Sequence, residues 1–254
     1  MKIRKNIFKQ QMEEGIAAHG IWNGIPHPYV AEICAGADFD WICIDAEHSP
    51  FSMDRILTQI QAIQSHDISA ILRLPSADPI LTKQYLELGV QNILAPMVES
   101  AEQAESFAKS LLYPPAGFRG IGTGLGRAAQ WNRVNNYLEE ANQEVYSMVQ
   151  VETLKGVQAL DEILEVTELG LIFLGPADLA ASMGYLGQAE HPEVVKEVIS
   201  CIKKIVQAKK AAGFLTGSAD VIKAYQEAGA LMLGVGADTL LLSKASKALA
   251  DFYK

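Results

Sequence analysis

The stretch Trp41-Ile-Cys-Ile-Asp45, followed by Ala-Glu-His48, decides the fold, because a short apolar run leads directly into polar residues. A run without polar alternation over most of its length is typical of a strand buried on both faces of a parallel sheet. Seven further runs share this pattern: residues 20–23, 70–74, 92–95, 147–151, 171–174, 214–217 and 231–235. The sequence therefore predicts eight buried parallel strands.

The stretches between these runs have helical features. Residues 78–89 begin with Asp78-Pro79 and end at Gly89, which fit an N-cap, a first-turn proline and a C-terminal stop. Residues 100–112, 193–212 and 238–252 carry apolar positions at intervals of three and four. Eight strand–helix alternations in 254 residues predict an α/β fold, a (β/α)₈ TIM barrel forming a single domain over residues 1–254.

A doubly wound parallel sheet is the alternative architecture. Such a sheet would more often open with a glycine-rich phosphate loop after its first strand. Here the first run is followed by Ile25-Pro-His-Pro28, and no G-x-G-x-x-G directly follows a strand. No linker or composition break divides the chain either, so the barrel is favoured.

Composition excludes several classes of protein. Lys and Arg number 21 against 30 Asp and Glu, and the net charge of −9 disfavours nucleic-acid binding through a basic surface. No apolar window approaches the ~20 residues of a membrane-spanning helix, and the basic N-terminus lacks the apolar core of a signal peptide. The 3 cysteines form no CxxC pair, which excludes a disulfide framework and predicts a cytoplasmic protein.

Unusual polar residues follow the predicted strands. In a barrel of this kind the carboxyl ends of the strands carry the chemistry. Gln150 and Glu152 are two residues apart and so point to the same side of strand five, and Asp178 follows strand six. Two carboxylates without cysteine or paired histidines suit a hard divalent ion such as Mg²⁺ or Mn²⁺. The alternatives are a solvated strand-end Glu152 and a helix-capping Asp178.

His48 and Arg73 are the other candidate site residues. Both lie at the predicted barrel mouth, and a guanidinium within an apolar run must find an anion because it does not deprotonate. The alternatives are a surface histidine and a structural ion pair of Arg73 with Asp45 or Glu47. The glycine-rich residues 117–124 resemble a loop that presents backbone N–H groups to an anion, although turns are also rich in glycine.

Four ordered motifs carry a family resemblance. They are Phe-Asp-Trp-Ile-Cys-Ile-Asp-Ala-Glu-His at 39–48, Tyr-Pro-Pro-Ala-Gly-Phe-Arg-Gly at 113–120, Val-Gln-Val-Glu at 149–152 and Gly-Pro-Ala-Asp-Leu at 175–179. They resemble the HpcH/HpaI aldolases, which are class II pyruvate aldolases. The resemblance implies a (β/α)₈ barrel that assembles as a homo-oligomer, a hexamer of dimers exchanging a C-terminal helix, here about residues 238–252.

The resemblance also implies a reaction. Such enzymes use a divalent metal ion (Mg²⁺, Mn²⁺ or Co²⁺) to cleave 4-hydroxy-2-oxo acids, for example 4-hydroxy-2-oxoheptanedioate in aromatic-compound catabolism, to pyruvate and an aldehyde. The alternatives are cleavage of a sugar acid of the 2-dehydro-3-deoxyglucarate type, a silent metal- or pyruvate-binding barrel, and a thioester lyase. The last would need a basic patch for coenzyme A, and none is evident in the sequence.

The implied roles fall on seven residues. By resemblance, Glu152 and Asp178 hold the metal, and Gln150, Ala177 and Asp178 bind the pyruvyl part of the substrate.

In the catalytic group, His48 would be the base, Arg73 the transition-state stabiliser and Glu87 the acid that raises the basicity of the histidine. Relatives carry aspartate at the position of Glu87, so its longer side chain is a departure from the pattern. The rival chemistry, a lysine Schiff base, is disfavoured because no lysine lies within any predicted strand.

Overall fold

Eight parallel strands pair in chain order and close into a barrel in the computed structural model, which describes residues 1–254. The strands are β1 (Ala18–Asn23), β2 (Trp41–Asp45), β3 (Ser69–Arg73), β4 (Asn92–Ala95), β5 (Tyr146–Val151), β6 (Leu171–Leu174), β7 (Ala211–Leu215) and β8 (Met232–Ala237). β8 returns to pair with β1, so no strand edge is left open. The predicted TIM barrel is confirmed.

Twelve helices surround and cap the barrel. They are α1 (Ile7–Glu13), α2 (Pro28–Ala35), α3 (Met53–Ile63), α4 (Pro79–Glu87), α5 (Ala101–Ser110), α6 (Tyr137–Glu144), α7 (Leu154–Gln158), α8 (Leu160–Leu164), α9 (Pro176–Ser182), α10 (Pro192–Gln207), α11 (Ala219–Glu227) and α12 (Asp238–Phe252). No helix combines the length and apolar character that crossing a membrane requires.

The strands have side chains buried on both faces, as the apolar runs predict. Residues such as Trp22, Trp41 and Phe173 fill the barrel interior. A larger cluster joins the outward side chains of the strands, such as Ile93 and Phe214, to the helices. This packing fixes the strand ends rigidly, which is what a site at the barrel mouth needs.

The local predictions were most accurate where apolar runs were continuous. β2, β4 and β6 begin and end at the predicted residues, and the caps of α4 are as expected, with Asp78 accepting hydrogen bonds from the N–H groups of Ile80 and Leu81.

The predicted helix over 193–212 was too long, and the seventh strand was predicted to begin three residues late. α10 ends at Gln207, and Lys209 adopts the left-handed conformation (φ 59°), which ends helical continuation. The next residues, Ala211 to Gly213, are buried strand residues with almost no side chain. Small residues give little periodic signal, and alanine favours helices, so this start was missed.

Candidate active site

Polar and charged side chains converge at the carboxyl ends of the barrel strands. Asp45 and Arg73 are the last residues of β2 and β3, Gln150 lies near the end of β5, and Glu152 follows β5. All four are buried. Because the strands are parallel, these ends meet on one face of the barrel, which is hereafter called the mouth.

Arg73 is held by two carboxylates. Its Nε and Nη2 donate to Asp45 Oδ1 (3.0 Å) and Oδ2 (2.7 Å), and its Nη1 lies 3.0 Å from Glu47 Oε2. Burial acts to raise the pKa of Asp45, but the hydrogen bonds and charge of Arg73 outweigh it and hold that pKa below its ordinary value. A bidentate pair fixes the guanidinium plane while leaving further N–H donors for a ligand. The ion pair weighed as an alternative is therefore present, and it orients Arg73.

Asp45 and Trp22 both contact Arg73, and the sequence alone gave neither of them a role in the site. Asp45 also accepts the backbone N–H groups of Glu47 and His48, so it shapes the turn after β2. The Trp22 ring lies 5.1 Å from the Arg73 guanidinium carbon, a cation–π distance. The feature of the sequence that could have identified Asp45 and Trp22 is their position at or next to the end of a predicted strand.

Glu152 is the most deeply buried acid at the mouth, with only 2% of its surface exposed. Oε1 accepts the Met97 N–H at 2.9 Å, and Oε2 accepts the Gln150 side-chain amide. Burial, opposed by the Met97 hydrogen bond and reinforced by the charges of Asp178 and Glu47, raises the pKa of Glu152 to about 7. The predicted common orientation of Gln150 and Glu152 is observed.

Gly175 makes room for this carboxylate. A Cβ built on Gly175 would lie 2.3 Å from Glu152 Oε2 and 2.7 Å from Glu152 Cβ. Glu152 cannot simply rotate away from such a Cβ, because the hydrogen bonds from the Met97 N–H and the Gln150 amide hold its carboxylate in place.

Gly175→Ala is expected to displace Glu152. Because the sequence predicts Glu152 as a metal ligand, we expect this change to lower the affinity for Mn²⁺ about tenfold or more, as disturbed support of metal ligands typically does. The measurement is Mn²⁺ titration calorimetry of the wild type and the variant. Gly217→Ala is the control, because a Cβ there meets nothing within 4 Å. Unchanged Mn²⁺ affinity in Gly175→Ala would show that Glu152 needs no such space.

The donor set fits a divalent ion held by two carboxylates. Asp178 lies exposed in the first turn of α9, close enough to raise the pKa of both Glu152 and Glu47. No group of three histidine, cysteine or acidic side chains converges at ligand distance. Mg²⁺ and similar ions commonly take one or two protein carboxylates and leave other positions to water and substrate. One buried acceptor at the mouth, Gln150 Oε1, has no hydrogen-bond partner and is open to a donor or a cation.

His48 lies at the exposed rim of the mouth. Two thirds of its side chain (66%) is accessible, and its Nε2 is 3.8 Å from Glu47 Oε2. Ala177, beside Asp178, is also exposed at this rim. The structure thus brings six of the seven predicted residues to one end of the barrel.

Glu87 does not join them. It is the last residue of α4, and a helix that follows a strand runs back toward the opposite end of the barrel. Its carboxylate pairs with the buried Arg119 at 3.1 Å, whereas the acidic neighbour of His48 is Glu47. Within this chain, therefore, the predicted dyad of His48 and Glu87 is not formed.

The glycine-rich residues 117–124 pack against α5. The N–H groups of Gly117, Phe118 and Arg119 donate to carbonyls of residues 109–113. The sequence suggested that this loop presents backbone N–H groups to an anion. These three amides already donate to carbonyls within the chain, so they are not available for that role.

Comparison with known proteins gives consistent matches. Residues 19–245 match the family model described as HpcH/HpaI aldolase/citrate lyase. A 4-hydroxy-2-oxo-heptane-1,7-dioate aldolase of Shigella sonnei is 43% identical over 246 residues, covering 97% of this chain and 94% of that protein. A hydroxypyruvate/pyruvate aldolase of Deinococcus radiodurans is 44% identical over 249 residues, covering 98% and 90% respectively.

Solved structures agree with the fold. A crystal structure of an HpcH/HpaI aldolase/citrate lyase family protein from Burkholderia cenocepacia has a TM-score of 0.93 at 32% identity, covering 98% of this chain and 100% of that chain. The crystal structure of macrophomate synthase has a TM-score of 0.83 at 25% identity, covering 96% and 88%.

Proposed function

Because the chain belongs to the HpcH/HpaI aldolase family and is an aldolase, we propose that it is a divalent-metal-dependent enzyme cleaving 4-hydroxy-2-oxo acids to pyruvate and an aldehyde. The observation that carries the proposal is the buried Glu152, whose pKa is raised to about 7 by burial and by neighbouring Asp178 and Glu47. A carboxylate kept so close to other acids needs a cation to stay ionised. The relatives named above act on 2-oxo acids, which matches this site.

In this proposal Glu152 and Asp178 hold the metal ion. When bound, the ion supplies Lewis-acid stabilisation of the negative charge that develops on the 2-oxo oxygen. Gln150 orients Glu152 through its amide, and together with Ala177 and Asp178 it borders the space for the pyruvyl group. Asp45 fixes Arg73 so that its remaining N–H groups can meet the same oxygen.

His48 removes the proton from the C4 hydroxyl. The C3–C4 bond then breaks, its electron pair forms the pyruvate enolate, and the C4 fragment leaves as an aldehyde. Protonation of the enolate at C3 completes pyruvate. General-base catalysis of this kind contributes about 10²–10⁴-fold. The reaction has no net proton change, because the enolate takes up one proton at C3 for the one that His48 removes. The exposure of His48 allows it to exchange that proton with solvent.

The proposal predicts that pyruvate is released from 4-hydroxy-2-oxoheptanedioate when Mn²⁺, Mg²⁺ or Co²⁺ is supplied and that EDTA abolishes this release. Lactate dehydrogenase and NADH measure the pyruvate. Borohydride with pyruvate should leave the enzyme active, because none of the eight strands carries a lysine for a Schiff base. Release that survives EDTA, together with inactivation by borohydride, would refute the metal mechanism.

We also propose that the protein is a homo-oligomer, a hexamer, whose C-terminal helix contacts a second copy. Asp238 anchors the start of α12 by accepting hydrogen bonds from Asn23 Nδ2 (2.6 Å) and the Gly24 N–H (2.8 Å). Beyond this anchor the helix leaves large apolar side chains exposed: Leu240, Leu241, Leu242, Leu249 and Phe252. Such a patch marks an interface rather than a solvent face.

Leu241→Glu is expected to shift the assembly to smaller species, because burial of a charge in an apolar interface is unfavourable. Light scattering coupled to size-exclusion chromatography measures the mass. Lys244→Glu is the control, since it alters charge on the same helix without removing an apolar side chain. A monomeric wild type, or a Leu241→Glu variant with unchanged mass, would contradict this interface.

A further inference from the structure

A second cavity lies on the face of the barrel opposite the mouth. It has a volume of about 410 Å³ and is lined by the N-terminal ends of β3 and β4, at Ser69 and Asn92. Residues 1–7, the end of α3 and the 127–134 segment complete its walls. No residue assigned to the active site lines this cavity, so it is separate from the catalytic machinery.

The cavity is basic in an otherwise acidic chain. Lys2, Arg4, Lys5 and Arg127 line it, against the two carboxylates of Asp40 and Asp67, while the whole chain has a net charge of −9. Lys5 is paired with Glu144, and Asp40 already accepts the His19 N–H at 2.7 Å.

The other three cations, Lys2, Arg4 and Arg127, form no ion pair with any carboxylate. Such charges around one cavity attract an anion.

Arg127 is rigidly placed in the cavity wall. Its Nη1 donates to the Leu88 carbonyl at 2.7 Å and its Nη2 to Gln64 Oε1 at 2.5 Å, which leaves further N–H donors unused. The main chain of Arg4 is held in turn by the Gln91 side chain, which donates to the Arg4 carbonyl at 2.7 Å. Burial and the nearby charge of Arg4 lower the pKa of Arg127. Arg4 and Arg127 thus both line the cavity without a carboxylate partner, and an anion bound there would be stabilised by both charges.

We propose that this cavity binds a small phosphate-bearing anion between Arg4 and Arg127. Guanidinium groups bind phosphate oxygens in a bidentate manner, and three unpaired cations match a doubly charged anion better than a single carboxylate. The volume lies within the range of small-molecule sites, so a phosphate ester fits as well as the free ion. The Ala128 N–H donates to the Glu87 carbonyl at 3.1 Å, so a bound anion would also stabilise the attachment of this segment to α4.

The test is isothermal titration of the full-length, metal-free protein with inorganic phosphate and, separately, with glycerol 3-phosphate, at ionic strength kept constant with sodium chloride. Arg4→Gln is expected to weaken phosphate binding about tenfold or more, the effect of losing one charge-assisted contact. The Arg4 side chain is exposed and makes no hydrogen bond, so this variant should fold normally. Arg55→Gln, which removes an exposed, unpaired arginine of α3 outside the cavity, is the matched control and should bind as the wild type does.

Arg127→Lys keeps the positive charge but loses the bidentate geometry of the guanidinium, so this variant should bind phosphate with reduced affinity. Arg73→Lys distinguishes binding in the cavity from binding at the mouth. This variant should weaken phosphate binding only if the phosphate binds at the mouth. Equal affinity in the wild type and Arg4→Gln, or a loss confined to Arg73→Lys, would overturn the proposal. Binding of both ligands supports a phosphate-ester site, and binding of phosphate alone supports a site for the free ion.

Discussion

Glu152→Gln is expected to lower kcat/KM for pyruvate release by about 10³-fold or more, because several kcal/mol of charge stabilisation are lost with the metal. Glutamine has the shape of glutamate but cannot supply an anionic oxygen ligand. The packing around it should be retained, since Gln150 has an unpaired Oε1 that can accept from the new amide after its own amide rotates. The loss should therefore reflect chemistry and not misfolding.

The same variant should be more stable than the metal-free wild type at pH 8. An acid whose pKa rises from an ordinary value of 4.5 to about 7 on folding binds its proton more tightly in the folded state. Its contribution to stability is present below pH 4 and is lost as the pH rises through 7. At about 1.36 kcal/mol per pKa unit, the free energy of unfolding of Glu152→Gln should exceed that of the metal-free wild type by roughly 3 kcal/mol at pH 8. At pH 4 the two proteins should differ by almost nothing.

Thermal unfolding of metal-free wild type and Glu152→Gln across this pH range checks the stability effect. Glu99→Gln is the matched control, because Glu99 pairs with the exposed Lys155 at 3.0 Å and takes no part in the metal site. This control should keep its activity. A Glu152→Gln enzyme with wild-type kcat/KM would remove Glu152 from the site.

Arg73→Lys is expected to reduce kcat by about 10²–10³-fold, the usual cost of losing one positioned donor to a developing oxyanion. Lysine keeps the positive charge but cannot span both oxygens of Asp45 and still present donors to the substrate. The effect should fall mainly on kcat, since the oxygen gains its full charge only in the transition state.

Steady-state kinetics with 4-hydroxy-2-oxoheptanedioate separate these two parameters. Arg55→Lys, on the exposed surface of α3, is the control and should leave both unchanged. A change in KM alone would show that Arg73 binds the substrate without stabilising the transition state.

Much of this organisation was predictable from residue pattern. Continuous apolar runs identified the strands because a strand buried on both faces tolerates no polar alternation. The polar residues that interrupt or follow these runs, such as Arg73 and Glu152, identified the mouth because parallel strands end on a common face. The two-residue spacing of Gln150 and Glu152 predicted that both side chains point to the same side of the chain.

The remaining features depend on contacts between distant parts of the chain. The partner of Glu87 is Arg119, 32 residues further along, and helix direction rather than local spacing separates it from His48. The space at Gly175 and the paired neighbours of Arg73 likewise come from packing between strands. Sequence periodicity does not encode such tertiary contacts, so they required the structure.

The central claim is that Glu152 and Asp178 hold one divalent ion at the mouth. Titration of the metal-free protein with Mn²⁺, followed by electron paramagnetic resonance of the free ion, measures this directly. The account predicts one Mn²⁺ per chain in the wild type and severely weakened binding in both Glu152→Ala and Asp178→Ala. Stoichiometric, tight Mn²⁺ binding that persists in both variants would contradict it.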